Sequence, residues 1–241
     1  MYASLEYKKY IIKQQTEFSK IKVIFKETKN LYNLDDIKED FDENKYFAIK
    51  SLFNKNIAQN LFRYEHNLLN VFLPDKIISI GNSAFDACDN LVSIKLPNSL
   101  TRIGNNAFFR CTKLKNIDMP NFLDIINEET FGECANLETI KLPDELIIIG
   151  PSAFRGCKKL KKISIPNNVL ELKTSCFMGC KNLETVKLSN NIKKINSWAF
   201  YHCGIKSIIY KEEHYTDISE LINILLKNDV NIDNTAFIDC Q

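Results

Sequence analysis

Eight cysteines are the residues of this 241-residue sequence whose type and spacing are most suggestive of chemistry. A metal site needs ligands that converge on one point at short spacings, and the chain contains no Cys-x-x-Cys pair. Seven cysteines instead share one repeating position, and only Cys176 lies outside it: Cys88, Cys111, Cys134, Cys157, Cys180, Cys203 and Cys240. Side chains repeated in parallel are close enough for disulfides but poorly oriented to form them. The spacing therefore predicts small buried thiols that pack as hydrophobic side chains.

The other residue types that commonly carry catalysis do not form a recognisable site. The three histidines lie in unrelated contexts, and a strand would point His202 and its neighbour Cys203 to opposite sides. The chain has no Gly-x-Gly-x-x-Gly, P-loop or His-Glu-x-x-His motif. Its carboxylates occur singly rather than as matched acid–base pairs. We therefore expect a protein that is not an enzyme and that holds no metal ion or cofactor.

A repeat of 23 residues explains the cysteine spacing and organises most of the chain. The pair Leu73-Pro74 returns in register as Leu96-Pro97, Met119-Pro120, Leu142-Pro143 and Ile165-Pro166. One column contains only phenylalanine: Phe85, Phe108, Phe131, Phe154, Phe177 and Phe200. A single unit of this length cannot bury its own apolar residues, whereas stacked units share one continuous core.

The motif Ala-Phe-x-x-Cys-x-x-Leu-x-x-Ile-x-Leu-Pro at this period resembles the BspA-like leucine-rich repeats. The resemblance covers roughly residues 50–241, with five near-perfect copies between 73 and 187. It implies an α/β (β-rich) leucine-rich-repeat solenoid, a right-handed superhelix or horseshoe of about seven coils with a parallel strand ladder. Members of this family serve as adhesins, as surface proteins and as intracellular interaction modules, so the resemblance leaves the ligand open.

Local patterns add three expectations about individual segments. Alternation in Leu91–Leu96 predicts a half-buried strand, and strands of successive repeats then pair about 4.8 Å apart. A column of glycine and asparagine that begins at Gly81 predicts a left-handed turn residue. Asp217 precedes an apolar face of leucine and isoleucine that ends at Lys227, and this pattern predicts a helix with Asp217 as its N-cap. The helix belongs to a helical insertion at residues 211–231. The repeat domain that contains this insertion is predicted to span residues 50–241. Residues 1–49 carry no repeat and are predicted to form an N-terminal cap or adaptor that is helical in part.

The exposed strand positions are the predicted binding residues, because repeat proteins usually bind along their strand surface. The central exposed column and its two neighbouring columns contain the candidate partner-binding residues: Phe72, Lys95, Asp118, Lys141, Ser164, Lys187, Lys115, Glu138, Lys161, Lys162 and Glu184. One hypothesis is an acidic partner across Lys95, Lys141 and Lys187 with Phe72 as an apolar anchor. The alternative is that these residues only keep the sheet soluble.

A non-catalytic protein–protein interaction module, a scaffold or adaptor, is the function that these observations favour. A cell-surface or adhesive structural protein is the alternative, and nucleic-acid binding fits less well because the net charge is only +2. The absence of a secretory hydrophobic region, of a long apolar span and of an Asn-x-Ser/Thr site leads us to expect a cytoplasmic protein. Self-association through exposed solenoid ends is a further expectation.

Overall fold

The computed structural model describes residues 46–48, 55–66, 68–73, 75 and 77–240, with the backbone alone at 46–48 and 72. The predicted N-terminal cap, residues 1–49, lies outside the described residues except for 46–48. Among the described residues, no helix is long and apolar enough to cross a membrane.

Two ladders of short parallel strands run along the molecule and form a β-solenoid of about seven turns. The first ladder contains β1 (Tyr46–Ala48), β3 (Asn70–Phe72), β5 (Ser93–Lys95), β7 (Asn116–Asp118), β9 (Thr139–Lys141), β11 (Lys162–Ser164), β13 (Thr185–Lys187) and β15 (Ser207–Tyr210). The second ladder contains β2 (Asn56–Ile57), β4 (Ser79–Ile80), β6 (Arg102–Ile103), β8 (Ile125–Ile126), β10 (Ile148–Ile149), β12 (Glu171–Leu172), β14 (Lys194–Ile195) and β17 (Asn231–Ile232). Strand partners such as Ile117 and Ile140 lie one 23-residue repeat apart, which confirms the predicted solenoid.

A stack of eight phenylalanine rings fills the core beside the two ladders. Neighbouring ring centroids are 5.1–5.5 Å apart and their planes differ by at most 16°, from Phe62 through the predicted column to Phe237. The six rings from Phe85 to Phe200 have no exposed surface. Offset stacking adds to the apolar burial that each ring already contributes, so this column binds successive coils together.

The cysteine column forms a second buried row next to the phenylalanines. Each of its seven thiols donates to the carbonyl oxygen of the phenylalanine one coil earlier, as Cys134 does to Phe108 at 3.1 Å. All eight cysteines are buried thiols. The prediction that they pack as small hydrophobic residues is therefore confirmed, with weak S–H donation as an additional role.

The glycine column does not adopt the predicted left-handed conformation. A Cβ atom at Gly81 would lie 2.6 Å from the backbone nitrogen of Gln59, so close approach of the preceding coil is what requires glycine there. Asn127 in the same column instead donates its side-chain amide to the Ile103 carbonyl at 2.6 Å. Left-handed residues occur in two other columns, exemplified by Ser83 and Ala87. The prediction was wrong because glycine and asparagine share this column for steric and hydrogen-bonding reasons.

The insertion near the C-terminus is a hairpin followed by a helix, rather than helical from its start. β15 turns back into β16 (Glu213–Tyr215), which pairs with it antiparallel and extends the first ladder by one strand. Lys211 and Glu212 both have positive φ, as a two-residue hairpin turn of this kind requires. Their side chains gave no such signal, because Gly and Asn usually occupy these positions.

The helix α1 (Ile218–Lys227) follows the hairpin and begins where the sequence predicts. The Asp217 carboxylate accepts from the backbone nitrogens of Ser219 at 2.7 Å and Glu220 at 3.4 Å, which satisfies two free N–H groups at the helix start. Leu221 and Leu225 are fully buried against the core. α1 thus packs against the core beside β16 and β17.

Candidate binding surface on the strand face

The predicted binding residues lie together on the outer side of the first ladder, which we call the strand face: the outward residues of β3 to β13 and the turn residues just before these strands. In parallel register Phe72 is the partner of Lys95, Asp118 of Lys141, and Ser164 of Lys187. Lys95, Asp118, Lys141 and Ser164 are exposed. The structure therefore brings this column to one surface, although the side chain of Phe72 lies outside the described atoms.

The three lysines of the central column do not form an uninterrupted basic row. Asp118 lies between Lys95 and Lys141, and Ser164 separates Lys141 from Lys187. Lys187 is half-buried and forms an ion pair with Glu212 of the hairpin at 2.9 Å. Its charge is therefore partly neutralised within the molecule, which weakens the hypothesis that these three lysines alone hold an acidic partner.

The adjacent column alternates in charge along the solenoid, with the order Lys115, Glu138, Lys161, Glu184. Glu184 accepts from Lys206 at 2.7 Å, and this hydrogen bond lowers the pKa of the Glu184 carboxyl. Neighbouring strands are about 4.8 Å apart, so opposite charges in successive coils screen one another. Taken alone, this column presents little net charge to a partner.

Positive charge concentrates instead at the turn that leads into β11. We call Lys158, Lys159, Lys161, Lys162 and Lys181 the lysine cluster. All five are exposed, and none forms an ion pair with another described residue. Lys181 occupies the position of Lys158 in the next coil, so the five ammonium groups belong to two adjacent coils. The run Lys-Lys-Leu-Lys-Lys after Cys157 was the sequence signal for this feature, and reading the strand columns alone missed three of its five members.

A second unpredicted surface lies on the second ladder, where large apolar side chains face solvent. We call Phe122, Ile147, Ile148 and Leu170 the apolar strip; their exposed fractions are 71%, 54%, 38% and 49%. They fall in three successive coils. Other coils carry Ile78, Thr101, Asp124 or Lys193 at the position of Ile147 and Leu170. Two consecutive apolar residues in this column are therefore visible in the sequence once the repeats are aligned.

The titratable groups of the described residues do not converge on a reactive centre. Burial raises the pKa of Cys134 and Cys157 and raises that of Cys240 to about 12, so these thiols stay protonated and are poor nucleophiles. His66 contacts Asp89 at 2.9 Å and His202 lies 3.7 Å from Asp239, with all four side chains at the surface. Within the described part of the chain, no group of three His, Cys, Asp or Glu residues could hold a metal ion.

The family follows from the repeat pattern together with this architecture. The sequence model of the BspA type leucine rich repeat region matches residues 55–183 and 147–241, with six copies. The chain belongs to this family. The family match thus begins near β2 and continues through the insertion to the last cysteine. Among curated proteins, none matches the sequence significantly.

Solved structures of leucine-rich repeat proteins are similar to this family member. The T. pallidum leucine-rich repeat protein TpLRR is 26% identical with a TM-score of 0.63, and the alignment covers 79% of this chain and 86% of TpLRR. A leucine-rich repeat protein from Bacteroides ovatus is 29% identical with a TM-score of 0.50, over 59% of this chain and 45% of that one. A leucine-rich cell surface protein from Faecalibacterium prausnitzii is 26% identical with a TM-score of 0.49, over 81% of this chain and 57% of that one. The chain thus spans most of TpLRR and about half of the other two proteins.

Proposed function

We propose that this chain is a non-catalytic protein–protein interaction module that holds an acidic segment of its partner on the strand face, against the lysine cluster. The observation that carries the proposal is the set of five exposed lysines at one edge of a regular, polar strand surface, none of which forms an ion pair within the described part of the chain. Although the net charge of the chain is only +2, two adjacent coils carry these five lysines, with Glu138 and Glu184 beside Lys161 in the alternating column. Such local charge favours encounter with a segment of opposite sign and sets its position.

The strand face next to the cluster supports an extended peptide rather than a small molecule. Its side chains repeat about every 4.8 Å along the solenoid, and several of them donate hydrogen bonds from coil to coil. Ser93 donates to the Asn70 side chain at 2.7 Å, and Thr139 donates to the Asn116 side chain at 2.8 Å. These bonds hold the polar side chains in fixed orientations, which reduces the entropy lost when a partner binds.

The experiment is capture of partners from native lysate with wild-type protein and three variants whose folding is confirmed by circular dichroism. The cluster variant is Lys158→Glu/Lys162→Glu, and the matched control is Lys55→Glu/Lys227→Glu, which changes the net charge equally at distant exposed positions. We expect the wild type and the control to retain the same protein and the cluster variant to lose it. A partner that the cluster variant retains would overturn the proposal.

The third variant tests the central column separately, with Lys95→Glu, Lys141→Glu and Lys187→Glu combined. Because Asp118 interrupts this column and Glu212 already neutralises Lys187, we expect a smaller loss than in the cluster variant. Recovery of nucleic acid instead of protein, with binding that falls steeply as salt increases, would replace the proposed partner class.

A further inference from the structure

The apolar strip on the second ladder is a surface that binding at the strand face does not use. Ile147 and Leu170 occupy the same position in neighbouring coils, and Ile148 adjoins them in β10. Each has between 38% and 54% of its surface exposed. Phe122, three residues before Ile125 of β8, extends the strip into the preceding coil. Adjacent exposed apolar side chains of this size mark interaction sites more often than chance exposure does.

The apolar strip has an acidic residue on one side and a basic residue on the other, along the axis of the solenoid. One column reads Asp124, Ile147, Leu170 and Lys193 in four successive coils, and all four side chains are exposed. The register is fixed by backbone hydrogen bonds from Ile147 to the Asp124 carbonyl at 2.8 Å and from Lys193 to the Leu170 carbonyl at 2.7 Å. The order along this column is therefore acid, apolar, apolar, base, at steps of about 4.8 Å.

When a second copy of this column runs in the opposite direction, each acid lies opposite a base and each apolar residue lies opposite an apolar residue. The geometry therefore points to a second copy of this chain as the occupant of the strip. Two copies would pack antiparallel around a two-fold axis that passes between the coils of Ile147 and Leu170. Ile147 of each copy then meets Leu170 of its partner, and Asp124 of each meets Lys193 of its partner, so the ion pair forms twice in each dimer. A parallel pairing would instead place like charges near one another, which disfavours it.

The neighbouring column is compatible with the same pairing. It contains Ile125, Ile148, Glu171 and Lys194 in the same four coils. Ile125 of one copy lies opposite Lys194 of the other, whose aliphatic stem can cover it. Glu171 faces Ile148 of the partner, but its charge is already compensated within its own molecule. Its side-chain hydrogen bonds, first from Lys173 and then from Asn196, lower the pKa of its carboxyl.

This association differs from contacts between solenoid ends, since it uses the side of the molecule and leaves the strand face open. Sedimentation velocity over low to high micromolar concentrations tests it with the full chain. We expect the weight-average mass to rise from that of one chain toward that of two. Ile147→Glu abolishes this rise, whereas Leu226→Glu, a change at a similarly exposed leucine on α1, does not. A wild type that stays monomeric, or equal losses in the two variants, would overturn the inference.

A charge exchange tests the antiparallel arrangement itself. Asp124→Lys and Lys193→Asp each convert two attractive contacts per dimer into repulsive ones, so each weakens association by about tenfold. The double variant restores opposite charges across the interface and returns the dissociation constant to within about threefold of the wild type. Failure of the double variant to recover association would exclude this pairing.

Discussion

Replacing Phe131 by alanine removes a ring from the middle of the phenylalanine stack. The ring is fully buried and lies 5.5 Å from Phe108 and 5.4 Å from Phe154, measured between centroids. Truncation of a buried phenylalanine to alanine costs about 3–5 kcal/mol. Because two stacking contacts of about 0.5–1.5 kcal/mol each are lost as well, we expect a value near the upper end of that range. This is a large part of the roughly 5–15 kcal/mol by which domains are stable.

Urea denaturation followed by circular dichroism measures this loss. Phe122→Ala is the matched control at protein concentrations low enough to keep the chain monomeric, since that side chain is 71% exposed and its truncation should then change the free energy of unfolding by less than about 0.5 kcal/mol. Phe237 is only partly buried and its ring stacks on Phe200 at 5.2 Å, so Phe237→Ala should cost about 2 kcal/mol. If Phe131→Ala and Phe122→Ala had the same small effect, the stack would not be the core that joins the coils.

Three further perturbations test other parts of the structure. Raising the pH above about 9 should destabilise the fold. Burial raises the pKa of core thiols such as Cys134 and Cys176, so they stay protonated in the folded state while the unfolded chain loses those protons. An unchanged urea midpoint between neutral and strongly alkaline pH would contradict this. Asp217→Ala should cost about 1 kcal/mol and speed hydrogen exchange in α1, whereas Ser219→Ala should leave exchange there unchanged; equal exchange rates in both would argue against the cap. Gly150→Ala should destabilise more than Gly179→Ala. A Cβ at Gly150 would lie 2.7 Å from the Glu128 backbone nitrogen, whereas a Cβ at Gly179 would make an ordinary contact with Gly156 at 3.8 Å, with only the positive φ against it. The reverse order of thermal midpoints would refute the close-approach explanation.

The buried core was predictable because every repeat carries the same apolar columns, which can be buried only against the neighbouring repeats. A column that contains only phenylalanine must stack, and the cysteine column beside it must be buried with it. The helix start at Asp217 was equally predictable, since a short carboxylate before an apolar helical face satisfies free backbone N–H groups. In each case the residue types alone determine the local structure.

The features that the sequence did not reveal depend on which residues become neighbours across coils. The hairpin turn contains Lys211 and Glu212, residue types that rarely adopt positive φ, so the local sequence did not predict β16. The ion pair between Lys187 and Glu212 follows from that hairpin and could not be foreseen without it. The apolar strip was overlooked because the second ladder was not expected to contribute binding residues. The cytoplasmic location and the structure of residues 1–49 stay predictions.

Fluorescence anisotropy with a labelled short oligoglutamate peptide tests the proposed binding surface most directly. We expect saturable binding to the wild type, equal affinity for Lys55→Glu/Lys227→Glu, and affinity weaker by about tenfold for Lys158→Glu/Lys162→Glu. A single-stranded DNA of equal charge should bind no more tightly than the peptide, because the proposed partner is a protein. Equal affinity of the cluster and control variants, or preference for the DNA, would contradict the account.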